Sequence, residues 1–228
     1  MTSAQLISWV VSAITFGTVI MFGCIGETIN QKAGNLNLGV PGIMQLGGIG
    51  ALTGAFIYES STATPNGTIG MICALLCAIL ASALGSLIYS FLTVTLKANQ
   101  NVTGLTLTIF GTGIANFFGG SLMKLSGGVG SISVATTANV FKLRLPFISG
   151  KLGLFGSLFL NYGWMAYFCL VLAFVANYFL TKTRTGLNLR AVGENPATAD
   201  AAGINVTKYK YLASIVGGAI CGLGGLFY

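Results

Sequence analysis

The stretch IGMICALLCAILASALGSLIYSFLTVTL, residues 69–96, runs for 28 residues without one Asp, Glu, Lys, Arg or His. It is long enough to cross a bilayer core as a tilted helix, and far longer than the roughly ten-residue segments of a membrane barrel. Outward from it the rest of the chain is built the same way. Its 228 residues are 54% hydrophobic and only 7% charged, with no histidine and a mean hydropathy of +0.84. A soluble domain carries about 25% charged residues, so a water-soluble enzyme is excluded. The 33 glycines keep no fixed period and lie among long apolar runs, which excludes a fibrous or low-complexity chain. The composition predicts an all-α fold: a polytopic transmembrane helical bundle forming a single domain over residues 1–228.

Six runs carry that expectation: about 6–25, 40–58, 69–96, 102–118, 162–180 and 211–228. No Lys or Arg precedes the first and no A-x-A pattern follows it, so it reads as an uncleaved span rather than a signal peptide. Residues 27–39 are polar and glycine-bearing, 59–68 form a short loop, and 182–210 a charged one. The region 119–161 is expected to fold on the membrane surface with a partly inserted segment. The chain stops inside apolar sequence, so it is expected to be incomplete at its C-terminus. Loops after the first, third and fifth spans hold Lys32, Lys97, Lys182, Arg184, Arg190, Lys208 and Lys210, against Lys124, Lys142, Arg144 and Lys151 in the others. That excess places the 182–210 loop in the cytoplasm and the N-terminus outside.

Several function classes drop out. None of the six runs contains an interior ionisable residue, which argues against a proton-driven carrier, although carbonyls and hydroxyls alone can bind sodium. There is no G-x-x-x-x-G-K-[ST] loop to cradle ATP phosphates, so uphill work needs energy from another subunit. Four acids, no histidine and five scattered cysteines (Cys24, Cys73, Cys77, Cys169, Cys221) leave no metal, acid–base or nucleophilic constellation. The cysteines read as small buried hydrophobes. The net charge of +7 is spread thinly between spans and gives no nucleic-acid surface.

Small residues recur at four-residue spacing, at Gly50 and Gly54, Ala81 and Gly85, and Gly218 and Gly222, which lets helix backbones approach closely in lipid. In the fourth run Asn101, Thr108, Thr112 and Ala115 share one helix face. Such a stripe either lines a solute path or is a set of threonines bonding their own helix carbonyls. Asn35 and Asn37, in glycine-rich sequence beside the second span, either offer amides to a polar uncharged solute or belong to a plain connection. In the 182–210 loop, Asn195 suits an N-cap, Pro196 the first helical position and Gly203 the C′ position, with Asp200 the only charge between. This predicts a helix of about seven residues, roughly 10 Å long. It is too short to stand alone and smooth enough to enter a groove on a cytosolic partner.

Two motifs, KAGNLNLGVPG (residues 32–42) and LRAVGENPATADAAGINV (189–206), together with GGAICGLGG (217–225), resemble the permease subunits of ATP-binding-cassette importers. The similar branch handles nucleosides, simple sugars and branched-chain amino acids, and the N-L-N-L-G and G-E-N-P forms look most like nucleoside importers. The resemblance implies a multi-pass permease of the plasma (inner) membrane that translocates a polar solute by alternating access. It implies no catalytic site and no cofactor in this chain. The implied partners are cytosolic ATPase subunits, an extracytoplasmic substrate-binding lipoprotein and a second permease subunit, the same or related, within membrane lipid and without nucleic acid. It makes the short helix a coupling helix held in an ATPase cleft, with Glu194, Asn195, Pro196, Ala197, Asp200 and Gly203 as coupling residues. The solute path would include Asn35, Asn37, Asn101, Thr108 and Thr112. Lys124, Lys142, Arg144 and Lys151 would meet an acidic rim on the lipoprotein. Where relatives commonly carry an acid, this chain has Pro41. The competing classes are a simple-sugar importer permease, a stand-alone channel or facilitator, and a non-transporting scaffold.

Overall fold

The computed structural model describes residues 3–125, 132, 134–141 and 162–228. Within them every regular element is helical: α1 (Ser3–Lys32), α2 (Val40–Ser61), α3 (Gly67–Ser90), α4 (Gln100–Leu125), α5 (Ala135–Phe141), α6 (Trp164–Lys182), α7 (Arg184–Glu194), α8 (Pro196–Ala201) and α9 (Val206–Phe227). The last turn of α3 widens into π geometry over Phe91–Thr95 and ends at Lys97, which has a positive φ of 53°. Among the described residues six helices are long and apolar enough to cross a membrane.

Leucines, isoleucines and phenylalanines cover the outside, with Ile109, Phe174 and Leu84 more than 60% exposed. Such a surface suits acyl chains, not water. Where helices cross, small residues are buried beside a few large ones, Phe22, Ile43, Tyr89 and Met165 among them. α9 is the central helix, with 44% of its apolar window buried against 22–33% in the other five spans; it packs on α1, α2 and α3. A Cβ on Gly217 would sit 2.5 Å from the Gly26 carbonyl oxygen of α1, and one on Gly47 of α2 would sit 2.5 Å from the Gly222 Cα. Two backbones in contact leave no room for any side chain. The expected small-residue spacing acts in the same way: Gly50 and Gly54 lie against Cys77 of α3, and Gly218 and Gly222 against Ser86 and Ser82.

Two expectations need correction. α1 does not stop at residue 25 but continues to Lys32, so Glu27 is an ionisable residue inside the first membrane-crossing helix. The helix can continue because the carboxylate is satisfied within the protein, by the Asn37 N–H (3.0 Å, to Oε1) and by Asn30 Nδ2 (3.3 Å, to Oε2). Cys24 is exposed and Cys73 and Cys77 are half-buried, so only Cys169 and Cys221 are the buried small hydrophobes expected of all five. α4 runs to Leu125, past residue 118, and α5 packs on α3, its Thr137 N–H donating to Glu59 Oε1 at 2.7 Å.

Candidate functional site

Loops after α1, α3 and α6 meet at one end of the bundle around the turn 33–39. The turn opens with Gly34 at φ +78°, where a Cβ would come within 3.1 Å of the Gly193 Cα at the end of α7. The next residues spread to every neighbouring helix. The Leu36 N–H donates to Gln100 Oε1 of α4 (2.7 Å), and the Leu36 carbonyl accepts from the Tyr89 hydroxyl of α3 (2.7 Å). The Leu38 carbonyl accepts from Thr108 Oγ1 (3.2 Å).

Beneath the turn runs a buried chain of polar groups. Asn35 Nδ2 donates to the Lys210 carbonyl (3.2 Å) and to Ser214 Oγ (3.0 Å). Ser214 donates to Asn30 Oδ1 (2.7 Å), Asn30 donates to Glu27, and Glu27 accepts from the Asn37 backbone. Lone amides this deep are expensive; joined in series they lock α1, the turn and α9 in one register. Only Asn35 Oδ1 is left without a partner there. Sequence inspection does not reveal this network, because its members are separated by up to 184 residues.

On the outer side of that junction stand α7 and α8. Thr183 caps α7, accepting the Gly186 N–H at 3.0 Å, and Gly186, Leu189 and Val192 face inward. Asn195 caps α8 by accepting the Thr198 N–H at 3.1 Å, with Pro196 in the first turn. At the other end Gly203 (φ +81°) donates to the Asp200 carbonyl (2.9 Å) and Ile204 to the Ala199 carbonyl (3.0 Å), the paired bonds of a Schellman stop. Ala199 is buried, while Glu194, Asn195, Pro196, Ala197, Asp200 and Gly203 are all exposed. The Arg190–Glu194 pair, 3.9 Å apart and open to solvent, adds little. The six-residue helix is thus capped at both ends and, apart from Ala199, leaves its side chains exposed.

The second feature is a cavity of about 960 Å³ between α1, α2, α5 and the end of α9. Its walls are mostly apolar and aromatic, including Phe16, Phe141, Tyr162 and Phe227. The expected solute path is not gathered there. Of the α4 stripe only Ala115 lines the cavity; Thr112 donates to the Thr108 carbonyl (2.8 Å) and Thr108 to Gly104 and Leu38, while Asn101 is exposed at the far end of α4. Asn35 and Asn37 are buried in the turn, and Asn37 Oδ1 accepts the Gly39 N–H at 2.8 Å. What the sequence reading missed is Gln45, a lone amide in the apolar run 40–58, which does line the cavity. Lys124 is exposed in the last turn of α4; Lys142, Arg144 and Lys151 lie outside the described residues.

Comparison with known proteins converges on one group. The family model for the branched-chain amino acid transport system / permease component matches residues 9–228. The chain is 33% identical over 220 residues to a putative glucose ABC transporter permease protein of Haloferax volcanii, covering 94% of this chain and 60% of that protein. It is 29% identical to a nucleoside ABC transporter permease protein of Lactococcus lactis subsp. cremoris, over 96% of this chain and 66% of that one. It is 27% identical to a guanosine ABC transporter permease protein of Bacillus subtilis, over 100% and 69%. The chain thus spans roughly two thirds of the length of these relatives. No solved structure matches it. A family match over almost all its length and six membrane-crossing helices make this chain a multi-pass membrane protein of the branched-chain amino acid transport system permease family.

Proposed function

We propose that the chain is the transmembrane permease subunit of an ATP-binding-cassette importer that carries a polar, uncharged solute, a nucleoside first, across the plasma membrane by alternating access. The observation that carries this reading is α8: short, doubly capped and exposed, at the end of the bundle where the helix termini hold most of the cations, which marks that end as cytoplasmic. Glu194, Asn195, Pro196, Ala197, Asp200 and Gly203 would seat it in a cleft of a cytosolic ATPase subunit. Closure of an ATPase pair would push α8, and through it α7 and the 33–39 turn, so that the bundle rocks against a second permease subunit. In this scheme the chain has no catalytic site and needs no cofactor, and Lys124, with Lys142, Arg144 and Lys151, would steer an extracytoplasmic binding lipoprotein.

The relative named for glucose favours a second reading, a simple-sugar permease. Site-specific crosslinking tests the coupling. With Cys24, Cys73, Cys77, Cys169 and Cys221 replaced, Ala197→Cys in the assembled transporter is expected to crosslink to the ATPase subunit, and Lys124→Cys is not. Equal labelling of Ala197→Cys by an impermeant thiol reagent added outside intact cells would refute it. Competition of nucleosides and sugars for uptake then separates the two solutes.

A further inference from the structure

Gln45 is an amide inside a membrane-crossing helix, exposed, and without a hydrogen bond to any described residue. At membrane depth an unpaired amide is costly, so its position calls for a polar partner that the described residues do not supply. Pro41, Gln45, Gly48 and Leu52 share one face of α2, and all four line the 960 Å³ cavity. The other cavity polar groups from helix interiors are turned away. Thr15 Oγ1 is donated to the Val11 carbonyl (2.8 Å), and Thr137 Oγ1 is buried against Gly70 of α3. No charged side chain lines the cavity among the described residues.

These observations fit one kind of occupant. An ionic solute such as a zwitterionic amino acid would enter without a counter-charge, at a prohibitive cost in a medium this apolar. A flat, uncharged ring is accepted by aromatic walls, and a primary amide offers such a ring a donor and an acceptor side by side. We infer that this cavity lies on the solute's route and that Gln45 is its specificity-determining residue, reading the hydrogen-bonding edge of an uncharged nucleobase. This rests on the permease reading above and names the atoms that would discriminate among its solutes.

The test uses the assembled transporter with its ATPase and binding protein, and compares uptake of guanosine, inosine and uridine, with leucine as the zwitterionic probe. Gln45→Leu is expected to lower uptake of the preferred nucleoside about ten- to a hundredfold, the size of one lost bidentate pair, and to flatten the ratio between guanosine and inosine, which differ at one edge position. Gln45→Glu, of the same shape but without the amide donors, is expected to invert or reshape that ratio. Both variants should elute as the parent does in detergent gel filtration. A uniform fall for all nucleosides with the ratio kept, or leucine uptake through the same cavity, overturns the inference while leaving the permease reading intact. Absence of ATP-dependent uptake of any nucleoside by the parent transporter removes the inference and the nucleoside solute, and the permease reading falls with them only if no sugar is taken up either.

Discussion

Two regions of this bundle use polar groups in opposite ways. At the end that carries α7 and α8, amides and hydroxyls from α1, α3, α4 and α9 are bonded to one another around the 33–39 turn. In the cavity the walls are apolar and aromatic, and the one side-chain amide, Gln45, bonds to nothing described. On the reading proposed above, the first pattern suits a junction that transmits displacement without slipping. The second suits a compartment whose polar partner arrives and leaves. On that reading stability and selectivity sit on different residues, and the difference can be tested by substitution.

The largest effect is expected at the junction. A Cβ at Gly193 would collide with the Lys32 carbonyl oxygen and come within 2.9 Å of the Gly34 nitrogen. Gly193→Val should therefore part α7 from the turn and abolish the monodisperse peak in detergent gel filtration. Next is Ala197→Trp, which touches no core: the bundle should keep its melting temperature while ATP-dependent uptake and ATPase co-purification are lost. Retained uptake would separate α8 from energy supply. Ser214→Ala removes the link between Asn30 and Asn35 and leaves both buried; about 1–3 kcal/mol is expected, read as a fall in melting temperature of several degrees. Gln45→Leu should leave that temperature unchanged or raise it, the reverse sign for the loss of a polar group. The smallest is Asn195→Ala, worth about 1 kcal/mol of local helix stability, seen as faster amide exchange over 196–202 with unchanged global melting.

Much of this molecule can be read from its residues in order. Charge-free runs longer than a bilayer core must be helices, because no other open segment satisfies its own backbone in lipid. The capping of α8 is equally legible, since Asn195, Pro196 and Gly203 act within a few residues of one another. Glu27 was harder. In sequence its side chain reads as the start of a polar loop, and the Asn37 N–H and the Asn30 amide that meet it help α1 to continue. The threonine stripe on α4 shows the converse: Thr108 and Thr112 have the right period for a path, yet their hydroxyls are held by backbone carbonyls.

Local order in the chain therefore settled the helical class, the approximate places of the apolar helices and the capping of α8, because hydropathy, capping and backbone satisfaction act over short sequence distances. Which amides would be structural and which would face an open compartment was settled by folding alone. Asn35 and Gln45 are the same chemical group ten positions apart; one meets Lys210 and Ser214 across the bundle and the other meets a cavity. A polar group in a membrane protein takes its role from the distant segment brought against it, and that segment is chosen by the packing of helices, not by its neighbours in sequence.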